Sequence, residues 1–287
     1  MTEEQNKNHE QVAARSIDKR DVERLIRLLE SQGYTVIGPV VQDEAIIYAE
    51  IGGMEDLPQG YHDAQGPGKY RLSQTGHANY FEFNVGPHSW KQFLFPPKLT
   101  VGTSHHDVDG WKFDTPSAEQ PKFAFLGVRA CELAAIAVQD RVFMQGPYID
   151  PVYKARREST LLIAVNCTVA AATCFCTSTD TGPKCLTQFD LALTELDDRF
   201  VVEVGTERGQ RLLDELNAVD ATGYELDAAK ALEQRAVDQI SKRLDTHDIR
   251  NLLLNSLEHP PTGRSSYALS IMYELHHGLP DLFLQFG

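Results

Sequence analysis

The chain has 287 residues, 42% apolar and 24% charged, with 20 glycines and 14 prolines; these ordinary globular proportions exclude collagen-like and disordered chains and leave room for one large core or two modest ones. Asp and Glu outnumber Lys and Arg by 41 to 27, for a net charge of −14, and a field of that sign repels a phosphate backbone, so no nucleic acid is expected as a partner. No segment approaches the roughly 18 to 20 uninterrupted apolar residues of a membrane span, and Met1 to Val12 lacks the charged-then-apolar layout of a secretion signal, so the expectation is a cytoplasmic protein without membrane contact, where structural disulfides are rare.

The first element predicted is a helix from Ser16 to about Gln32, with Ser16 or Asp18 as its cap. Val22, Leu25, Ile26 and Leu29 form its apolar stripe, and Gly33 stands at its C-terminal end. Thr35 to Pro39 and Glu44 to Ile51 read as strands, and Gly52 to Gly68 as loop. Tyr70 to Leu72 and Tyr80 to Val85 read as strands, and Trp90 to Leu94 as a brief helix ended by Pro96 and Pro97. Phe123 to Val128 and Thr160 to Val165 are short, almost wholly apolar runs, as expected of strands buried on both faces. Glu132 to Phe143, between them, has helical periodicity, which predicts a parallel βαβ unit whose following loops leave the same sheet edge. Phe189 to Leu196 and Arg199 to Val204 fit a helix–strand or hairpin pair. Leu212 to Leu216, Ala228 to Arg243 and Ile249 to Leu257 read as helices. The fold class expected is α/β, a mixed or parallel sheet body with helices and a helical C-terminal segment. Its regions are an N-terminal α/β part (1–120), a cysteine-bearing βαβ part (121–205), a helical segment (206–260) and an atypical tail (261–287).

All five cysteines, Cys131, Cys167, Cys174, Cys176 and Cys185, fall in the middle of the chain. Thiols at this density in a reducing compartment bind metal or do redox chemistry. Cys174-Phe175-Cys176 is poorly spaced for a disulfide, because alternate residues of an extended chain point apart. The paired Cys-x(2–4)-Cys knuckles of structural zinc are absent. A [4Fe–4S] cluster needs four thiolates, which separate loops can supply. Cys131, Cys167, Cys174 and Cys176 meet that count if the βαβ topology holds. Buried inert thiols and a zinc-stabilised module stand as alternatives.

Several motifs together resemble one family. They are Gly127-Val-Arg-Ala-Cys-Glu-Leu133, Asp150-Pro-Val-Tyr-Lys-Ala-Arg-Arg-Glu158, Asn166-Cys-Thr168, and Thr173-Cys-Phe-Cys-Thr-Ser178 followed by Thr181-Gly-Pro183, with Val85 to Pro97 in support. From about residue 15 to Pro260 the chain resembles the iron–sulfur β subunit of cytoplasmic sulfhydrogenases, which is related to an iron–sulfur subunit of anaerobic sulfite reductase. The resemblance implies an electron-transfer subunit of an oxidoreductase complex without a substrate site of its own. It would work between two partners, one a flavin/NAD(P)H-binding subunit, the other a hydrogenase or sulfite/sulfur reductase catalytic subunit. The family carries further clusters in a C-terminal ferredoxin-like domain, and here the pattern departs. Beyond Pro260 a run Cys-x-x-Cys-x-x-Cys-x-x-x-Cys-Pro would follow, yet Pro261 to Gly287 contains no cysteine. Read one nucleotide later, the codons of Met272-Tyr273 force a cysteine, and those downstream permit Cys-Thr-Asn-Cys-Thr-Met-Val-Cys-Pro. The tail is therefore read as a frameshifted remnant, and a truncated product without function is the alternative to an electron carrier. A natural short variant with a packed last helix is the competing reading.

Arg129 lies in the strand-to-helix turn, where a cation stabilises a reduced, negatively charged cluster. Cys131 at the helix start gains from the helix dipole. Lys154 and Arg156 read as a solvated helix face. His105-His106-Asp107 reads as an exposed turn rather than a metal site, and His88-Ser89 as a loop. Gly182-Pro183 reads as a turn that fixes the cysteine loop.

Overall fold

The computed structural model describes residues 14–257 except 101, 109, 115–120 and 217. The expectations for the tail from Pro261 to Gly287 lie outside the described residues. In chain order the elements are β1 (Arg15–Asp18), α1 (Asp21–Ser31), β2 (Thr35–Gln42), β3 (Ala45–Glu50), the hairpin β4 (Tyr61–Gly66) and β5 (Lys69–Gln74), α2 (Lys91–Leu94), a second hairpin β6 (Thr103–Asp107) and β7 (Gly110–Asp114), β8 (Phe123–Val128), α3 (Ala130–Met144), α4 (Pro151–Ser159), β9 (Leu161–Val165), β10 (Leu191–Glu195), β11 (Arg199–Val204), α5 (Glu207–Glu215), β12 (Val219–Asp220), α6 (Gly223–Gln239) and α7 (Ile249–Leu257).

Eight strands form one sheet in the order β12-β1-β11-β10-β9-β8-β2-β3. Its centre, β2, β8, β9 and β10, is parallel, and the flanking pairs are antiparallel. The fold is α/β with a mixed sheet, and strands from both sides of residue 120 contribute to it. Every residue of β8 and β9 is buried, which explains their unbroken apolar sequence: helices cover both faces of a parallel centre. Ala124, Leu126, Leu161 and Ile163 share one core with Leu25 and Leu29 of α1 and Leu212 of α5. Phe125, Leu162 and Ala164 pack on the other face with Trp90, with Leu133 and Ile136 of α3, and with Tyr153 of α4.

Gly127 interrupts β8. Its φ is +95°, and a Cβ there would lie 3.1 Å from Phe81 Cε1 and 3.3 Å from Pro39 Cδ. The pairing of β8 with β9 shifts between Leu126 and Val128 at this point, as in a β-bulge. The extra residue re-aims the chain just before Arg129.

Four expected elements differ. Gly52 to Gly68 is not all loop: Tyr61–Gly66 is strand β4, paired with β5, and the glycines and proline at 66–68 mark the hairpin turn rather than an open loop. Ser16 does not cap a helix; it pairs with Val201 and Val219 inside the sheet, and α1 starts at Asp21. Ser16 Oγ instead donates to Glu225 Oε1 at 2.9 Å. Residues 80–85 form no strand, because side chains occupy the backbone groups a ladder would use. Glu195 accepts from the Tyr80 and Phe81 N–H groups, both at 2.8 Å, and Asp63 from the Asn84 N–H at 2.6 Å. The helix expected from Ala228 begins earlier, at Gly223, because Thr222 and Glu225 form a capping box. The β10–β11 hairpin and the limits of α7 agree with expectation.

Candidate metal centre

Parallel pairing of β8 and β9 delivers two of the predicted residues to one sheet edge. Cys131 follows β8 in the first turn of α3, and Cys167 follows β9 directly. The coil from 166 to 190 then returns Cys174 and Cys176 to that edge. It is fixed by short-range bonds, Cys174 N–H to Ala171 O at 3.0 Å and Thr181 N–H to Cys176 O at 3.0 Å, and by Cys167 N–H to Pro183 O at 3.3 Å. Gly182 is the wall of the site: a Cβ there would stand 3.1 Å from Ala130 Cβ and 3.3 Å from Cys176 Sγ. Gly182 and Pro183 form no hydrogen-bonded turn, and their tie to the cysteine loop is the Pro183 carbonyl, which accepts from the Cys167 N–H.

The four thiols lie within electrostatic reach of one another. Burial pushes Cys131 well up, and Glu132, Cys167, Cys176 and Cys174 push it further in the same direction. Burial raises Cys174 to about 12 and Cys176 to about 11, with Cys167 the next contributor to each. Burial also raises Cys167, against the pull of the Arg129 guanidinium. All four are partly exposed, whereas Cys185 is buried, and burial lifts its thiol well up too. At neutral pH these groups are thiols, and a metal that binds them displaces protons.

Arg129 is 1% exposed. Its Nη2 donates to Phe81 O at 2.9 Å and Phe83 O at 2.8 Å, its Nη1 to Asn166 O at 3.5 Å, and its Nε has no hydrogen-bond partner. The guanidinium carbon lies 5.0 Å from the Phe83 ring centre. These donors end on carbonyls, and the groups within electrostatic reach of the guanidinium include the Glu132 carboxyl and the Cys167 thiol, so further negative charge at the site would help to compensate a buried cation. Glu132, the helix-cap partner of the Arg129 N–H at 2.9 Å, also accepts from the Tyr48 hydroxyl at 2.6 Å, and burial raises its pKa.

Among the described residues, no group of three or more His, Cys, Asp or Glu side chains is arranged to hold a metal ion. Four thiols, a buried cation with an orphaned Nε and a side-chain-free wall at Gly182 fit the donor set and charge of an iron–sulfur cluster.

Other expectations resolve simply. Lys154 pairs with Glu158 on an exposed face, but Arg156 is not merely solvated, since its Nη1 donates to Phe93 O at 2.7 Å. His105 and His106 are exposed as expected, on strand β6 rather than in a turn. Sequence reasoning missed Glu195, Asp63, Gln65 and Asn84, which hold the 80–85 strap against the cysteine loop. No spacing rule ties them to the thiols. The Asn166 side chain carried a signal in the Asn166-Cys-Thr motif. Its Oδ1 accepts from the Cys185 N–H at 2.7 Å, and its Nδ2 donates to Thr194 Oγ1 at 2.8 Å and Glu233 Oε1 at 3.3 Å.

No protein-family model matches the chain. It is 29% identical over 134 residues to Sulfhydrogenase 2 subunit beta of Pyrococcus furiosus, a stretch covering 46% of this chain and 39% of that protein. The match thus spans well under half of the relative's length. No described helix is long and apolar enough to cross a membrane.

Proposed function

We propose, from the similarity to Sulfhydrogenase 2 subunit beta of Pyrococcus furiosus, that the chain is an electron-transfer subunit of an oxidoreductase complex. In this reading Cys131, Cys167, Cys174 and Cys176 ligate one [4Fe–4S] cluster, with Arg129 as the cofactor-binding counter-charge. The observation that carries the reading is the nearness of four partly exposed thiols to a buried guanidinium that donates to the Phe81, Phe83 and Asn166 carbonyls and lies beside the Cys167 sulfur. When bound, such a cluster supplies one-electron redox chemistry. The protein's part is to hold the thiolates on rigid strand ends, to exclude water from one side, and to place positive charge where the reduced state is most negative. Two further components would complete the complex in the cytoplasm: a flavin/NAD(P)H-binding subunit, and a hydrogenase or sulfur/sulfite reductase catalytic subunit.

Anaerobic purification followed by iron, acid-labile sulfide and zinc analysis tests the reading. A brown protein with about four irons per chain is expected. A colourless, zinc-loaded preparation overturns it in favour of a structural module. Replacing Arg129 with Met, in a protein that keeps its iron, should make the cluster harder to reduce.

A further inference from the structure

The strap formed by residues 79–85 runs beside the cysteine loop, and its buried Asn84 touches a thiol. The Cys174 Sγ–H group donates to Asn84 Oδ1 at 3.7 Å. Asn84 is locked by Asp63, whose Oδ1 accepts from the Asn84 backbone N–H at 2.6 Å and from its Nδ2 at 3.3 Å. Asp63 is 2% exposed, and its Oδ2 accepts from Gln65 Nε2 at 2.8 Å. The ring closes through the Thr173 hydroxyl, which donates to Gln65 Oε1 at 2.7 Å, next to Cys174 in the chain. A buried carboxylate thus stands one amide away from a proposed ligand sulfur.

A thiol and a thiolate ask opposite things of Asn84. The thiol donates to Oδ1, but a thiolate has no proton to give and needs a donor. A half-turn of the amide presents Nδ2 to the sulfur. It exchanges the 3.3 Å bond to Asp63 for an amide oxygen facing that carboxyl oxygen, a cost that the hydrogen bond to the thiolate has to exceed, while the 2.6 Å backbone bond keeps the residue anchored. Hydrogen bonds to cluster sulfurs and charges near them are the protein's levers on reduction potential.

We infer that Asn84 is a positioning residue that hydrogen-bonds the Cys174 sulfur, and that the Asn84–Asp63 pair sets the reduction potential of the centre. The inference rests on the cluster reading above. The pair of near-isosteric swaps Asn84→Leu and Asp63→Asn tests it by sign. Losing a hydrogen bond to a ligand sulfur disfavours the reduced form, and removing a nearby negative charge favours it. In redox titrations of the iron-loaded chain, Asn84→Leu should lower the reduced-to-oxidised ratio at a fixed poise at least tenfold, about 59 mV for one electron. Asp63→Asn should shift it the other way. A merely structural role would not give opposite signs. Unmoved potentials, or shifts of the same sign, in variants with wild-type iron content overturn this inference alone. Absence of iron and sulfide from the wild type overturns the function reading together with it.

A second measurement covers variants whose substitution prevents folding. In the metal-free protein, the Raman S–H band of Cys174, isolated by difference from Cys174→Ser, should move to the free-thiol position in Asn84→Ala. An unchanged band overturns the contact.

Discussion

Asn166→Ala isolates one buried polar joint, and its cost follows from counting the groups left behind. The Thr194 hydroxyl loses one partner but still donates to Glu233 Oε1 at 3.4 Å, and Glu233 retains Lys184 at 3.3 Å. The Cys185 N–H, in a buried residue, loses its acceptor. One orphaned buried donor costs about 1–3 kcal/mol, and the lost bond to Thr194 adds about 1 kcal/mol net. The total is about 2–4 kcal/mol, measurable as a lower urea midpoint with unchanged slope in the metal-free protein. The consequence reaches the site, because the Cys185 N–H pins the segment whose Gly182 backs onto Cys176. Reconstituted iron should therefore fall along with stability. A midpoint within about 0.5 kcal/mol of wild type, with full iron, would refute the reasoning.

Cys174→Ser and Cys176→Ser should each lose most of the cluster iron in anaerobic reconstitution, whereas Cys185→Ser should keep nearly all of it. Equal losses at Cys185 would mean that the ligand set is misassigned. Gly182→Ala should lower iron content several-fold, because the new methyl group would press on Ala130 Cβ at 3.1 Å and Cys176 Sγ at 3.3 Å; iron per folded chain is the readout. Glu225 is held down to about 2 by the Thr222 N–H first, then by the Thr222 hydroxyl, Ser16 and Arg199. Its folded pKa lies below the unfolded one, so its contribution is whole above about pH 4.5 and lost as pH falls towards 2. Glu225→Gln should cost about 1–2 kcal/mol at pH 7, and the gap to wild type should close on acidification in a pH series of thermal melts.

The sheet centre was legible because β8 and β9 are buried on both faces and so write themselves as unbroken apolar runs. From that followed the parallel pairing and the delivery of Cys131 and Cys167 to one edge. Where side chains replace backbone pairing, legibility ended. Tyr80 to Val85 has the alternation of a strand, yet Glu195, Asp63 and Arg129 hold its N–H and C=O groups, and each comes from a distant part of the chain. Ser16 misled for a related reason: a hydroxyl before an acidic, apolar-striped run looks like a cap, but here it sits in an edge region of the sheet and bonds to Glu225. The cysteines announced themselves by composition. The amides and carboxylates around them did not, because Asn and Asp are common in loops for reasons of turn chemistry alone.

The bulge at Gly127 turns the placement of the buried cation into a matter of odd and even. Along β8, Ala124 and Leu126 face one core and Phe125 the other, yet Val128 joins the core of Phe125. One uncounted residue has reversed the alternation, and everything downstream inherits the reversal, beginning with Arg129. Absorbing that single glycine into a regular ladder would put Val128 in the core of Leu126 and swing the guanidinium to the opposite side of the sheet, so the polarity of the thiol pocket hangs on the parity of a strand.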